Sequence, residues 1–155
     1  MGRLDNKKTI VVTGGLGFIG SHFIEMCLEN GHKVFNIDKE TYAAHTDLVF
    51  TGDYTHIKED ISKIKDIPGC DIVVNFAAES HVDNSIDESF SFISSNIVGV
   101  YNILEIIKNK KIDAAIKCQS YQFPLYVQIS TDEVFGDILE GFFKEDAVHT
   151  PSNPY

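Results

Sequence analysis

The sequence predicts an open, doubly wound α/β sheet whose strands run parallel with helices on both faces, and three observations carry that expectation. Short β-branched runs alternate with longer helical patterns: TIVVT (9–13), KVFNI (33–37), DIVVNFA (71–77) and LYVQIS (125–130) read as strands. These runs are apolar on both faces, which suits a parallel sheet buried between helices. A glycine-rich turn, TGGLGFIG (13–20), joins the first strand to the helical pattern behind it.

Taken in order, the first helix falls in FIGSHFIEMCLENGHK (18–33), where Ile19, Phe23, Met26 and Cys27 recur at helical spacing. Gly31 can close it in the left-handed conformation, completing a βαβ unit. HIK (56–58) supplies a short third strand. A second helix is expected over 88–110, because Phe92, Ile93, Ile97, Val100, Leu104 and Ile107 fall largely on one stripe. The strand order that follows is 3-2-1-4-5. No internal repeat, low-complexity tract or linker divides the chain.

At 155 residues the chain has the size of one domain. With 43% hydrophobic and 23% charged residues it has an ordinary globular composition, and no apolar stretch reaches the ~20 residues of a membrane helix. Residues 1–8 are polar and lack the apolar centre of a secretory signal, so a cytoplasmic protein without membrane partners is expected. Three widely spaced cysteines (Cys27, Cys70, Cys118) argue for reduced thiols rather than a disulfide framework or a metal knuckle. No metal site is expected. A net charge of −10 disfavours nucleic acid, although local backbone dipoles can still hold an anionic ligand.

Gly14, Gly17 and Gly20 stand at the turn between strand and helix, where glycine lets the backbone approach a pyrophosphate that meets the helix N-terminus. Gly14 and Gly17 are expected to face the cofactor and Gly20 to allow close helix packing. Asp38 ends the second strand, 18 residues after Gly20, where a carboxylate can accept hydrogen bonds from a ribose diol and repel a 2′-phosphate. NAD is therefore expected over NADP. Further along, STDEVFGD (130–137) follows an apolar run and sets a hydroxyl, Thr131, beside two adjacent carboxylates, Asp132 and Glu133.

The GxxGxxG spacing of TGGLGFIG resembles the cofactor loop of the extended short-chain dehydrogenases/reductases. Successive blocks narrow the resemblance to the nucleotide-diphosphate-glucose 4,6-dehydratases: NIDKETYA (36–43), EDI (59–61), NFAAESHVDNSI (75–86), SNIVGVYNILE (95–105), STDEVFGD and PSNPY (151–155). The resemblance implies a Rossmann-like NAD-binding domain over 1–155, truncated before the sugar-nucleotide domain, and a homodimer in the complete protein. It places Phe18 and Ile19 by the pyrophosphate, Asp38, Lys39, Glu40 and Thr41 by the adenosine ribose, and Asp60 and Ile61 by adenine. Phe76, Ala77, Ala78, Glu79, Ser80 and Ser95 would line the nicotinamide side. The family usually carries threonine where this chain has Ser95, which keeps the hydroxyl. His81 and Asp83 receive no chemical role.

In such a reaction, oxidation at C4 of the hexose acidifies the C5 proton, so a base at C5 and an acid at the C6 oxygen can expel water together. Mutual repulsion of neighbouring carboxyls helps one of them stay protonated. The resemblance assigns Asp132 as the acid, Glu133 as the base, Thr131 as the hydrogen-bond partner of the 4-oxygen, and Tyr155 as the phenolate that takes the 4-hydroxyl proton. The family pattern places a lysine four residues after that tyrosine, past the last residue here, and the 155-residue chain alone is expected to be inactive. The substrate is a nucleotide sugar, dTDP-glucose or UDP-glucose. Two alternatives stay open: a sugar-nucleotide 4-epimerase, which shares the cofactor loop and tyrosine but not the Asp-Glu pair, and a nonenzymatic NAD-binding module.

Overall fold

A computed structural model describes residues 7–153 and 155. The polar start (1–6) and Pro154 of the closing PSNPY lie outside the described residues. Strands β1 (Thr9–Thr13), β2 (Lys33–Asp38), β3 (Tyr54–Lys58), β4 (Ile72–Asn75) and β5 (Leu125–Gln128) form one sheet in the order β3-β2-β1-β4-β5, with every pairing parallel. The expected doubly wound topology is the one observed. Alternation along β1 explains it: Val11 points into a layer with Ile37, Val73, Ile103 and Ile107, while Ile10 and Val12 point to the other face, with Ile24 and Cys27. Both faces are apolar, so both need helices.

Helix α1 (Phe18–Glu29) ends as its sequence predicts. Gly31 adopts φ 76°, and the His32 N–H reaches back to the Cys27 carbonyl at 3.0 Å. Its buried stripe differs from the expected one. Gly20, Ser21, Ile24 and Cys27 are buried, whereas Ile19 and Met26 are exposed and Phe23 is half-buried. Close packing at Gly20 turns a small-residue face inward.

The second helix departs further, because the chain over 82–116 consists of α2 (Val82–Asp87), α3 (Ser89–Phe92), a π-helical segment (Ile93–Gly99) and α4 (Val100–Ile116). The buried line runs through Phe92, Ser95, Gly99, Ile103, Ile106 and Ile107. Of the expected stripe, Ile93, Ile97 and Leu104 are exposed, Ile97 at 62%. A π-helix widens each turn and so rephases the face that follows. Gly99 is needed inside: a Cβ there would lie 2.5 Å from Ile61 Cδ1. Against expectation, Ser89–Ile116 is one helical run long and apolar enough by length and composition to cross a bilayer. Here Ile103, Ile106 and Ile107 pack it against the sheet as a core helix.

Strand bounds also shift. The third strand spans five residues, β4 is shorter than 71–77, and β5 ends at Gln128. β5 is the outermost strand of the described sheet, with Leu125 and Gln128 exposed. Side chains tie this edge to the centre. Thr13 donates its hydroxyl to Asn75 Oδ1, Asn75 Nδ2 donates to Gln128 Oε1 (2.9 Å), and the Tyr126 hydroxyl donates to the same oxygen (2.6 Å). Burial pushes the Tyr126 phenol up to about 12, against an opposing hydrogen bond from Asn75.

Two outcomes follow. Ile103 is fully buried under the sheet, so Ile103→Ala should cost about 2–5 kcal/mol in a urea unfolding titration. A free phenol ionises near pH 10, so between about 10 and about 12 the unfolded chain has lost a proton that folded Tyr126 retains. Stability therefore falls as pH rises through that window, and Tyr126→Phe should lessen the fall in unfolding titrations run at successive alkaline pH values.

Candidate functional site

Chain segments at the C-terminal ends of all five strands open onto one cavity of about 490 Å³, the rim where open parallel sheets bind ligands. Gly14 and Gly17 border it after β1, Asp38 and Lys39 at β2, Asp60 after β3, residues 76–80 after β4, and Ile129 and Ser130 after β5.

Steric closeness shapes the glycine turn. A Cβ on Gly14 (φ 69°) would lie 2.6 Å from the Ala77 nitrogen, and one on Gly20 would lie 2.4 Å from the Gly14 carbonyl oxygen. Gly14 therefore packs against the end of β4 as well as bordering the cavity, and Gly20 lets α1 sit on the turn. Gly17 differs, since a Cβ there meets only the Gly14 oxygen, at 3.3 Å. Its open side belongs to the cavity, together with Phe18 and Ile19 at the start of α1. Gly17 caps α1 without a side-chain hydrogen bond and no acidic residue stands in the first turn, which leaves the first N–H groups suited to an anion.

Two β2 side chains pin the turn. Asn36 Oδ1 accepts the Gly15 N–H and Asp38 Oδ2 accepts the Leu16 N–H, both at 3.0 Å. Asp38 Oδ1 accepts the Glu40 N–H at 2.8 Å, so a buried carboxylate is fixed in orientation at the cavity wall. Asn36 was not anticipated as a site residue. Its signal was a polar side chain inside an apolar strand, which must find a partner when buried.

Lys39 crosses the sheet end above β1. Its ammonium donates to Glu79 Oε1 and to Ser95 Oγ, each at 2.9 Å, joining the ends of β2 and β4 to the π-helical segment. Thr41 borders the cavity, with Ala43 and Ala44 beside it. Glu40 does not border it. Its backbone is left-handed (φ 57°) and its carboxylate turns to Lys58 and to His56 (2.9 Å), whose hydrogen bonds hold it below the usual carboxylate range. Asp60 accepts the Ser62 N–H (2.9 Å) and hydroxyl (2.8 Å). Burial pushes that carboxyl up, and these bonds with Lys39 and Lys63 bring it down to a net lowering. Ile61, Phe76, Ala77, Ala78, Glu79, Ser80 and Ser95 all border the cavity. Ile37, Glu59 and His81 do too, although the motifs gave them no role.

Thr131, Asp132 and Glu133 lie beside the cavity rather than in its wall. Thr131 caps a 3₁₀ turn (Asp132–Phe135), its hydroxyl oxygen accepting the Glu133 N–H at 3.1 Å. Asn153 Nδ2 donates to Glu133 Oε2 at 2.6 Å, and Asn153 Oδ1 accepts the Tyr155 N–H at 3.0 Å. The closing segment thus doubles back on this turn, with Thr150 bonded to the Val134 and Phe135 carbonyls. Gly136 (φ 80°) permits the approach, since a Cβ there would lie 2.1 Å from the Thr150 oxygen. The Tyr155 ring meets Phe92 edge-on at 6.0 Å and does line the cavity. Among the described residues no group of His, Cys, Asp and Glu is arranged to hold a metal ion.

Residues 11–155 match the family model described as GDP-mannose 4,6 dehydratase. The dTDP-glucose 4,6-dehydratase of Haemophilus influenzae is 40% identical over 161 residues, an alignment covering 94% of this chain and 46% of that protein. The low-salt glycan biosynthesis protein Agl12 of Haloferax volcanii is 38% identical over 155 residues, with the same coverage of 94% and 46%. A solved DesIV double mutant, a dTDP-glucose 4,6-dehydratase from Streptomyces venezuelae with NAD and DAU bound, superposes with a TM-score of 0.75 at 30% identity. It covers 94% of this chain and 46% of that one. A UDP-N-acetylglucosamine 4-epimerase from Methanobrevibacter ruminantium gives a TM-score of 0.78 at 26% identity, covering 97% and 46%. The chain spans about half the length of the curated relatives it matches. With the family model matched from the middle of β1 to Tyr155, and the glycine turn, the Asp-Glu pair and the closing tyrosine all within that match, the chain belongs to the GDP-mannose 4,6 dehydratase family.

Proposed function

We propose that this chain supplies the dinucleotide site and the acid–base residues of an NAD-dependent nucleotide-sugar 4,6-dehydratase. The observation that carries the reading is the fold-back of the closing segment. Asn153 holds Glu133 while Tyr155, two residues on, lines the same cavity as the glycine turn. The cavity fits a dinucleotide in the chemistry of its wall. Gly17 leaves backbone open to a pyrophosphate at the start of α1, and Asp38 presents an oriented carboxylate to a ribose diol. Phe18 and Ile19 would lie by the pyrophosphate, Lys39, Thr41, Asp60 and Ile61 would surround the adenosine half, and residues 76–80 with Ser95 the nicotinamide half. The Glu40 side chain, turned to Lys58 and His56, would contribute through its backbone alone.

NAD, when bound, supplies a hydride acceptor that can return the hydride later in the same turnover. The side chains handle the protons. Tyr155, acting as its phenolate, takes the proton of the 4-hydroxyl. Thr131 Oγ1 already accepts the Glu133 N–H, so its own O–H is left to donate to the 4-oxygen. Glu133 removes the C5 proton, which the neighbouring 4-keto group has made acidic, and the Asn153 amide that donates to its carboxylate keeps it in place. Asp132 gives its proton to the C6 oxygen, which leaves as water. The substrate is dTDP-glucose, with UDP-glucose second, in a cytoplasmic enzyme that binds neither nucleic acid nor membrane. The complete protein is proposed to act as a homodimer. The residue that favours this reading over a 4-epimerase is Asp132, which an epimerisation at C4 does not use as an acid.

In the full-length protein, Glu133→Gln should still oxidise C4, seen as NADH absorbance, yet fail to exchange the C5 proton for solvent deuterium. Asp132→Asn should slow water loss more than oxidation, each defect being about 10²- to 10⁴-fold by NMR of the 4-keto-6-deoxy product. Normal exchange and turnover in Glu133→Gln would overturn the assignment.

A further inference from the structure

We infer that Asn96 and Asn102 are positioning residues that set the two ends of the dinucleotide cavity from a single helical run; the inference rests on the dinucleotide reading above. Both side chains bond to backbone of the cavity wall. Asn96 Oδ1 accepts the Glu79 N–H and Asn96 Nδ2 donates to the Glu79 carbonyl, both at 2.9 Å. One amide thus satisfies both backbone groups of a residue in the segment after β4 that belongs to no strand or helix. The Glu79 carboxylate is held separately by Lys39 at 2.9 Å, so this residue is fixed at backbone and side chain alike.

Asn102, on α4, does the equivalent at the other end. Its Nδ2 donates to the Ile61 and Ile64 carbonyls, both at 2.8 Å, which holds the turn that follows Asp60. Between the two asparagines Gly99 brings the helix down onto Ile61. The π-helical segment accounts for this use of one helix. By widening the turn it directs Ser95 to Lys39 and Asn96 to Glu79, while Gly99 and Asn102 meet the Ile61 turn. Both target segments are irregular, so their backbone groups depend on such partners, and removing the amide leaves them unpaired.

The two clamps act on different halves of the ligand, which separates positioning from a general structural role. Calorimetric titration of the full-length protein with NAD and with 5′-AMP tests this. AMP carries only the adenosine half. Asn96→Ala should weaken NAD about tenfold and leave AMP within about twofold, as expected for the loss of hydrogen bonds worth roughly 1 kcal/mol each. Asn102→Ala should weaken AMP and NAD by the same factor. Asn96→Asp keeps the acceptor for the Glu79 N–H but sets a carboxylate oxygen against the Glu79 carbonyl, so it should also weaken NAD and leave AMP within about twofold; it serves the same comparison if Asn96→Ala does not fold. Equal weakening of AMP and NAD by Asn96→Ala, or no change in either alanine variant, would overturn the positioning role while leaving the cofactor reading intact. A wild-type protein that bound neither probe would overturn the cofactor reading and this inference with it.

Discussion

The constraint on which the site depends is the close approach of the glycine turn to the ends of β2 and β4. Side chains at Gly14, Gly15 or Gly20 would collide with the Ala77 backbone, the Asn36 amide or the Gly14 carbonyl. That closeness lets Asn36 and Asp38 accept the Gly15 and Leu16 N–H groups. It also brings the start of α1 over the middle of the sheet. Without it the helix would stand off, and the wall that Gly17, Asp38 and Ala77 make together would not close.

The same logic recurs on the opposite face. Within the π-helical segment the buried positions of the 89–116 run are Ser95 and Gly99 rather than large apolar residues, because Lys39 and Ile61 occupy the space there. Larger side chains at Ile93 and Ile97 are displaced outward. Packing density alone would favour the larger residues inside. Polar bonds from Ser95, Asn96 and Asn102 to the loops bordering the cavity offset that loss, and they tie the helix to the cavity as well as to the core.

Much of the fold was legible because its signals are local. β-branched runs located β1, β2, β4 and β5, glycine located the turn and the end of α1, and alternation with helices gave the strand order. The phase of the long helix was not legible, since a π-helical segment breaks the 3.6-residue period that any stripe argument assumes. The retreat of Ile19 and Met26 to the surface was not legible for a related reason, as two of the four buried positions of α1, Gly20 and Ser21, carry no hydrophobic signal. At the site, TGGLGFIG and Asp38 advertised themselves through residue type and spacing. Asn36, Asn96, Asn102 and Asn153 did not. An asparagine's partner is a backbone group distant in sequence, and nothing in a linear pattern names it. The direction of the Glu40 side chain was not legible, because Lys58 and His56 on β3 draw its carboxylate away.

The central claim is that the buried Asp38 carboxylate, oriented by the Leu16 and Glu40 N–H groups, receives the adenosine ribose of a dinucleotide seated against the glycine turn. Calorimetric titration of the protein with NAD and NADP in parallel tests it most directly. A carboxylate in that place hydrogen-bonds a ribose diol and repels a 2′-phosphate, so NAD should bind the more tightly. Tighter binding of NADP would contradict the account.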